Sequence, residues 1–178
     1  MPPSATQKTG FSSKSSVDMA FRTIQQVLTH MASGLHTRCA ALEGGSIGAW
    51  RFEAEVAPQQ PMLSELEQDQ PLVVLQTGAG QHALRESLHP CFTYSAELVA
   101  AAQPDSAAGR PSSLLPALAE LERVFRSYLS SLADSALVDP ADDVAGVYVV
   151  QAYAEKASTE ASGNVYLFKI PFTLVLQF

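Results

Sequence analysis

The closing segment of the chain constrains the fold more than any other. From residue 166 onward, apolar side chains occupy every second position without a break: Tyr166, Phe168, Ile170, Phe172, Leu174, Leu176 and Phe178. Strict alternation places all of them on one face of a β-strand. The sequence therefore predicts a strand over 165–178 that packs one face on a core. Pro171 lies on the opposite face, and its missing N–H predicts an edge position or a bulge.

The segment just before this strand predicts its hairpin partner. Residues Val144–Ala154 are rich in β-branched and aromatic side chains, which favour a strand. Residues Glu155–Asn164 are small and polar, so we expect a long flexible tip between the two strands.

Three further strands are predicted from the first hundred residues. Residues 47–56 alternate between apolar and charged side chains, and Leu72–Leu75 is a short apolar run of the kind found in central strands. Residues 91–102 alternate again, with one face formed by Phe92, Tyr94, Ala96, Leu98 and Ala100. Residues 81–88 are predicted as two helical turns, and 103–113 and 134–143 as loops, the second of them acidic.

Two amphipathic helices complete the pattern. The first begins at Ser16 as N-cap and ends at Gly34 or at the Gly44–Gly45 pair; its stripe is Val17, Phe21, Ile24, Leu28, Met31 and Leu35. The second runs over 114–133 with Ser113 as N-cap; its stripe is Leu114, Leu118, Leu121, Phe125, Tyr128 or Leu129, and Leu132.

The order α-β-β-β-α-β-β predicts an α+β fold, with a mostly antiparallel sheet of about five strands packed against two helices. A chain of 178 residues suits one domain with a core of its own. We expect residues 1–16 to form an N-terminal arm and 17–178 to form that domain.

The amino-acid composition limits the kinds of partner that the protein is expected to bind. Only 16% of the residues are charged, the net charge is −7, and no run of Lys or Arg occurs. Nucleic-acid binders neutralise phosphates with basic patches, so specific nucleic-acid binding is not expected. A low charge density predicts surface hidden against a partner, and we expect that contact at the weakly charged N-terminal arm and loops; a lightly charged monomer is the alternative. The sequence shows no signal-peptide pattern and no transmembrane run, so we expect no membrane association.

One segment resembles a nucleotide-binding motif. The run Leu72–Ala83 fits a strand followed by G-x-G-x-x-A, with Gly78 and Gly80 as the first two glycines. A dinucleotide site also needs a long crossover helix leading to a parallel strand. The helical stretch here stops at Pro90, so we expect a glycine-bounded turn instead.

Other candidate sites rest on histidine, cysteine and carboxylate residues. A zinc set of His36, Cys39, His89 and Cys91 has spacings that structural zinc sites do not use. Cys91 with His89 is a conceivable nucleophile and base, but neighbours in one strand seldom form a catalytic pair. The acidic residues Glu65, Glu67, Asp142 and Asp143 suggest solvated loops. We expect two buried, reduced thiols and no catalytic, cofactor or metal site, and hence no enzyme.

Taken together, these elements resemble the tail terminator (tail completion) proteins of long-tailed bacteriophages. The features are the opening helix Val17–Leu35, the Pro-flanked strand Pro71–Leu75, the alternating strand Phe92–Ala100 before the helix Leu114–Ala133, and the closing strand Leu167–Leu176. The resemblance covers most of 17–178 and is one of element order and length.

This resemblance implies a structural virion protein assembled in the host cytoplasm. It implies a homo-oligomeric ring, usually of six subunits, that caps the tail tube and joins it to the head connector or stopper protein. Neighbouring subunits in such a ring make heterologous contacts. An acidic lumen would let DNA pass without binding it. The alternatives are another neck or baseplate ring protein, a small-molecule-binding α+β domain, and a small enzyme built around Cys91.

Overall fold

The computed structural model describes residues 16–55, 71–77, 83–84, 91–102, 114–137, 147–162 and 165–177. Within these ranges the chain forms helices α1 (Ser16–Ala40) and α2 (Leu115–Leu132), and a short 3₁₀-helix over Ser46–Ala49. Eight strands are found there: β1 (Arg51–Glu55), β2 (Leu72–Thr77), β3 (Ala83–Leu84), β4 (Cys91–Ala102), β5 (Ser135–Leu137), β6 (Val147–Ala154), β7 (Ser158–Ser162) and β8 (Val165–Gln177).

All of these strands belong to one sheet. The main order is β1-β2-β4-β8-β6-β5, with β3 beside β4 and β7 beside β8. The β1–β2 pair is parallel, and the other pairs of the described strands are antiparallel. The predicted α+β class with a mostly antiparallel sheet is therefore confirmed, and the sheet has more strands than expected.

The additional strands correct three expectations. Residues 83–84, expected to be helical, form β3 against β4. Residues 135–137, expected in the acidic loop, form β5 against β6. The strand expected over 47–56 is shorter, because Ser46–Ala49 forms the 3₁₀-helix and β1 starts at Arg51. Such short pairings leave little periodic signal, since two or three residues cannot establish an alternation.

The centre of the sheet is the pair β4–β8, which is in continuous register from Cys91↔Gln177 to Ala102↔Tyr166. The predicted faces are confirmed: the core that contacts the helices includes Tyr94, Ala96, Leu98 and Ala100 of β4, and Phe168, Ile170, Phe172, Leu174 and Leu176 of β8. The intervening residues of both strands point to the opposite side, which we call the outer face.

The hairpin of β6 and β8 is confirmed, but the long flexible tip is wrong. Residues Ser158–Ser162 form β7, which continues along β8 as far as the pair Ser162↔Val165. The strand pairing therefore extends almost to the end of the hairpin. Small polar residues tolerate an edge strand as readily as a loop, and composition alone does not separate the two.

Pro171 lies in an interior strand, so the predicted edge position is wrong. On one side it pairs with Glu97 of β4, and on the other its carbonyl accepts a hydrogen bond of 2.8 Å from the Glu155 N–H. Three residues, 155–157, lie between the pairs Ala154↔Phe172 and Ser158↔Lys169, opposite only two residues of β8. This irregularity is the bulge that the missing N–H requires, and it is located in the partner strand.

Helix α1 carries the predicted stripe wherever its side chains are described. Ile24, Leu28, Met31 and Leu35 are buried, joined by Val27, Ala32 and Cys39. The side chains of 16–23, including the proposed Ser16 cap, lie outside the described residues. The helix does not end at Gly34 but continues to Ala40. Gly44 follows with φ of 72°, a left-handed conformation suited to glycine.

Helix α2 is confirmed over Leu115–Leu132, with Leu118, Leu121, Phe125, Tyr128, Leu129 and Leu132 all buried. The residue before its first turn is Leu114, which makes no side-chain capping bond, and the expected cap Ser113 lies outside the described residues. Phe125 meets Phe172 of β8 edge to face at 5.2 Å between ring centroids. Neither helix of the described residues has an apolar stretch that could cross a membrane.

Candidate interaction surface

The outer face of the sheet carries an uncharged region that we call the polar face. Its residues come in cross-strand rows: Thr93 with Val175 and Gln151, and Ser95 with Thr173 and Tyr153. Ser95 and Gln151 are exposed, and Tyr153 is 51% exposed. None of these six side chains is an acid or a base at neutral pH. The chain has a net charge of −7, but this accessible part of the sheet surface carries no charge. Another molecule can therefore contact it without meeting a charged side chain.

A register shift in β6 creates this surface. The core takes Val147 and Val149 before the shift, and Ala152 and Ala154 after it. The pairing slips by one residue between Val149 and Gln151. Because side chains alternate, this slip places Gln151 and Tyr153 outside, although unbroken alternation from Val147 would have turned them inward.

The other end of the outer face is closed. Leu72, Val74, Val99, Ala101, Val165 and Leu167 form a second apolar cluster there, and all six are buried. At its border Gln76 donates a hydrogen bond of 3.3 Å to Glu97. The outer face is therefore divided into a buried apolar end and an open polar end.

The strand edges differ in how they are protected. On β1, the Ala54 carbonyl accepts a hydrogen bond of 3.2 Å from Gln25 of α1. At the end of β6, Arg126 of α2 donates to the carbonyls of Ala154 (3.4 Å) and Glu155 (2.7 Å), and Glu122 holds the guanidinium at 2.9 Å. The edges of β3 and β5 are only two and three residues long. In β7, residues 158–161 are all exposed.

The described residues contain no cluster of His, Cys, Asp or Glu that could hold a metal ion. The zinc and nucleophile candidates can be located only in part, because His89 lies outside the described residues. His36 donates to the Gly48 carbonyl at 2.9 Å and stacks on Phe52. Cys39 is buried, as expected, whereas Cys91 is only half-buried. Burial, reinforced by the charge of Glu120, raises the pKa of the Cys39 thiol to about 11, so it is neutral at physiological pH.

The remaining candidates fall outside the described residues: His89, the glycines of the G-x-G-x-x-A run, and the acids Glu65, Glu67, Asp142 and Asp143. The topology nevertheless bears on the nucleotide motif. The long strand after β2 is β4, and it lies directly beside β2 in antiparallel orientation. A dinucleotide fold requires a parallel neighbour reached through a crossover helix, so β2 does not belong to such a unit.

An open cavity of about 440 Å³ lies between the end of α1 and the start of α2. Its lining includes Leu42, Ile47 and Ala117, together with the carboxylates of Glu43 and Glu120. Glu120 already pairs with Arg123 at 2.5 Å. The cavity is large enough for a small ligand. Sequence patterns did not indicate it, because it forms where two helix ends meet in space.

Comparison with known proteins gives matches among solved structures. No protein-family model matches the chain, and no curated protein matches it. Among solved structures, a chain described as "Virion of native gene transfer agent (GTA) particle" has 9% sequence identity and a TM-score of 0.43; the match covers 81% of this chain and 92% of that chain. The likeness is weak and concerns the arrangement of elements only.

Proposed function

We propose that this chain is a non-enzymatic structural protein of a virion that assembles as a closed ring. The observation that carries the proposal is the polar face: an open sheet surface of Thr, Ser, Gln, Val and Tyr in an acidic chain. Two copies of the chain, each with a net charge of −7, repel each other in most relative orientations. An uncharged surface lets them meet at low electrostatic cost, and its exposed tyrosine is of the type enriched in interfaces.

More narrowly, we propose a tail terminator of a long-tailed bacteriophage, with six subunits capping the tail tube and contacting the head connector or stopper protein. The elements behind that resemblance lie where the sequence placed them: α1, β2, β4, α2 and β8. A contact between the polar face and a different surface of the next subunit is heterologous, and it closes into a ring when the rotation allows. The acidic balance suits a lumen that DNA crosses without binding.

The direct test is the mass and shape of the purified full chain. Size-exclusion chromatography with light scattering should give a single assembly of several subunits, and negative-stain microscopy should show rings with a central opening. A strict monomer at all concentrations would contradict the ring. Added tail-tube protein and connector protein from the same genome should each co-elute with the ring if it is a terminator. Rings that bind neither partner would favour another neck or baseplate component.

The second candidate function is small-molecule binding, favoured by the cavity between α1 and α2. Its volume of about 440 Å³ falls in the range of ligand sites, but Glu43 and Glu120 restrict it to neutral or cationic molecules. Ala117→Trp would fill the cavity. A binding protein would lose thermal stabilisation by its ligand in this variant, whereas a ring protein would assemble as before.

A further inference from the structure

Within the described residues, two residues of β7 have backbone N–H and C=O groups without a hydrogen-bond partner. The carbonyl of Pro171 points toward β6 and β7, because it accepts from the Glu155 N–H. The N–H and C=O groups of successive strand residues alternate in direction. The backbone groups of Lys169, Leu167 and Val165 therefore also point toward β7. The residues paired with them are Ser158, Glu160 and Ser162, and their backbone groups must point back toward β8. The N–H and C=O groups of Thr159 and Ala161 consequently point away from the sheet.

Within the described residues, this edge has one of the devices that protect edge strands, the charged side chain of Glu160, and lacks the others. The others include proline, lysine, an inward-pointing charge, a very short strand and a covering side chain. Ser158–Ser162 has none of the first four, and its one charged residue, Glu160, pairs with Lys169 of β8 at 3.0 Å. The edges of β1 and β6 differ from this one, because Gln25 and Arg126 donate hydrogen bonds to backbone carbonyls there. The backbone groups of Thr159 and Ala161 have no such cover in the described part of the chain.

We propose that the β7 edge pairs with the β7 edge of a second copy of this chain, in antiparallel orientation about a twofold axis at Thr159. An edge that offers alternating N–H and C=O groups is complementary to itself in this orientation. With Thr159 opposite its own copy, Glu160 faces Ser158. A register centred on Glu160 would place two carboxylates directly opposite each other, which is unfavourable. Charge therefore favours the threonine-centred register.

This contact differs from the ring contact. A twofold pairing uses the same surface on both copies and cannot by itself close a ring of six subunits. It would join two subunits or stack two rings face to face. The inference goes beyond the proposed function and can fail or succeed independently of it.

The test uses Thr159→Pro in the full chain. Proline removes the outward N–H of residue 159 without removing a bond to β8, so the fold should keep its stability while the light-scattering mass falls by half. Thr159→Val, which keeps the N–H, is the matched control and should retain the wild-type mass. Ser158→Pro, which removes an inward N–H, should instead lower stability. If folded Thr159→Pro has the same assembly mass as the wild type, the proposal is overturned. A wild-type assembly with an odd number of subunits would also overturn it.

A second measurement does not depend on the proline variant. In a Cys91→Ser background, Thr159→Cys should form a cross-linked dimer under mild oxidation, because directly opposite Cα atoms of a hydrogen-bonded pair lie about 5.5 Å apart. Ser127→Cys is the control, since it is exposed on α2 and lies on neither the β7 edge nor the polar face. A Thr159→Cys chain that remains fully uncross-linked while assembled would contradict the pairing. If Thr159→Cys chains form rings and no cross-linked dimer appears, this inference is overturned while the ring proposal stands.

Discussion

Gly34 of α1 lies directly against the hydroxyl group of Tyr128 on α2: a Cβ atom at residue 34 would stand 2.5 Å from the phenolic oxygen and 3.1 Å from Cζ. Tyr128 is 5% exposed, and the Arg38 guanidinium lies over its ring at 5.0 Å from the centroid. The ring is thus held from two sides. The glycine that the sequence suggested as a helix end serves as the close-approach point between the two helices.

Gly34→Ala should therefore destabilise the protein, although alanine favours a helix by about 1 kcal/mol over glycine. Overpacking of a buried contact costs about 1–3 kcal/mol, which outweighs that gain. We expect a net loss of about 1 kcal/mol in the free energy of unfolding, measured by urea denaturation. Adding Tyr128→Phe removes the clashing oxygen, so the double variant should be more stable than Gly34→Ala alone. A stabilised single variant would contradict the close approach.

Stability should fall as the pH rises from about 9 to about 12. Burial raises the pKa of Cys39 from 9.0 to about 11 and, against the opposing charge of Arg38, that of Tyr128 from 10.0 to about 12. At a pH between the pKa of the unfolded chain and the pKa of the folded chain, each group has lost its proton in the unfolded chain and keeps it in the folded chain. The slope of stability with pH is therefore negative in this window, and each group contributes about 3 kcal/mol across it.

Tyr128→Phe isolates the tyrosine part of this effect. The variant should show a shallower loss of stability between pH 10 and pH 12 in urea denaturation. Tyr153→Phe is the matched control, because Tyr153 is half exposed on the outer face. An equal slope in the wild type and in Tyr128→Phe would mean that the Tyr128 hydroxyl is not buried as described.

Arg126→Ala should cost about 1–2 kcal/mol of stability, since its guanidinium binds the carbonyls of Ala154 and Glu155 where β6 ends. Arg123→Ala offers a matched control: its side chain is 62% exposed and pairs with Glu120 one helical turn away. Exposed pairs of this kind contribute little to stability, because water screens the two charges. Thermal denaturation of the two variants should separate them clearly, and equal losses would argue against a specific role of Arg126.

Ser95→Arg should reduce assembly without changing the stability of the subunit. The residue is exposed on the β4 side of the polar face, so a charge there would be buried without a partner in a subunit contact. Ser127→Arg places the same charge at an exposed position of α2 and should leave the mass of the assembly unchanged. If light scattering shows full assembly for Ser95→Arg, the ring contact uses another surface.

Periodicity located most of the long elements. The alternation in β4 and β8 and the stripes of α1 and α2 matched the buried residues, because a long element repeats its burial pattern many times. It missed β3 and β5, which are too short to repeat anything, and it misread β7, whose Ser-Thr-Glu-Ala-Ser composition suits either a loop or an edge strand.

The interaction surface was harder to anticipate. The low charge density indicated hidden surface, and the loops and the arm were its expected location. The structure adds a different candidate, the polar face, whose residues come from three strands that do not follow one another directly in sequence. Nothing in the alternation of β6 marks Gln151 and Tyr153 as outward, since the register slip after Val149 is a property of its pairing with β8.

The sequence by itself determined the α+β class, the two helices and the core-facing side of the central strands, since each depends on local periodicity. Only the tertiary structure decided which strands are neighbours, and with that which edges and faces stay open. Pro171 illustrates the difference: its missing N–H required an irregularity, but the irregularity lies across the ladder, between residues 155 and 157. Pairing between distant segments fixes such features, and a periodic pattern within one segment does not contain that information.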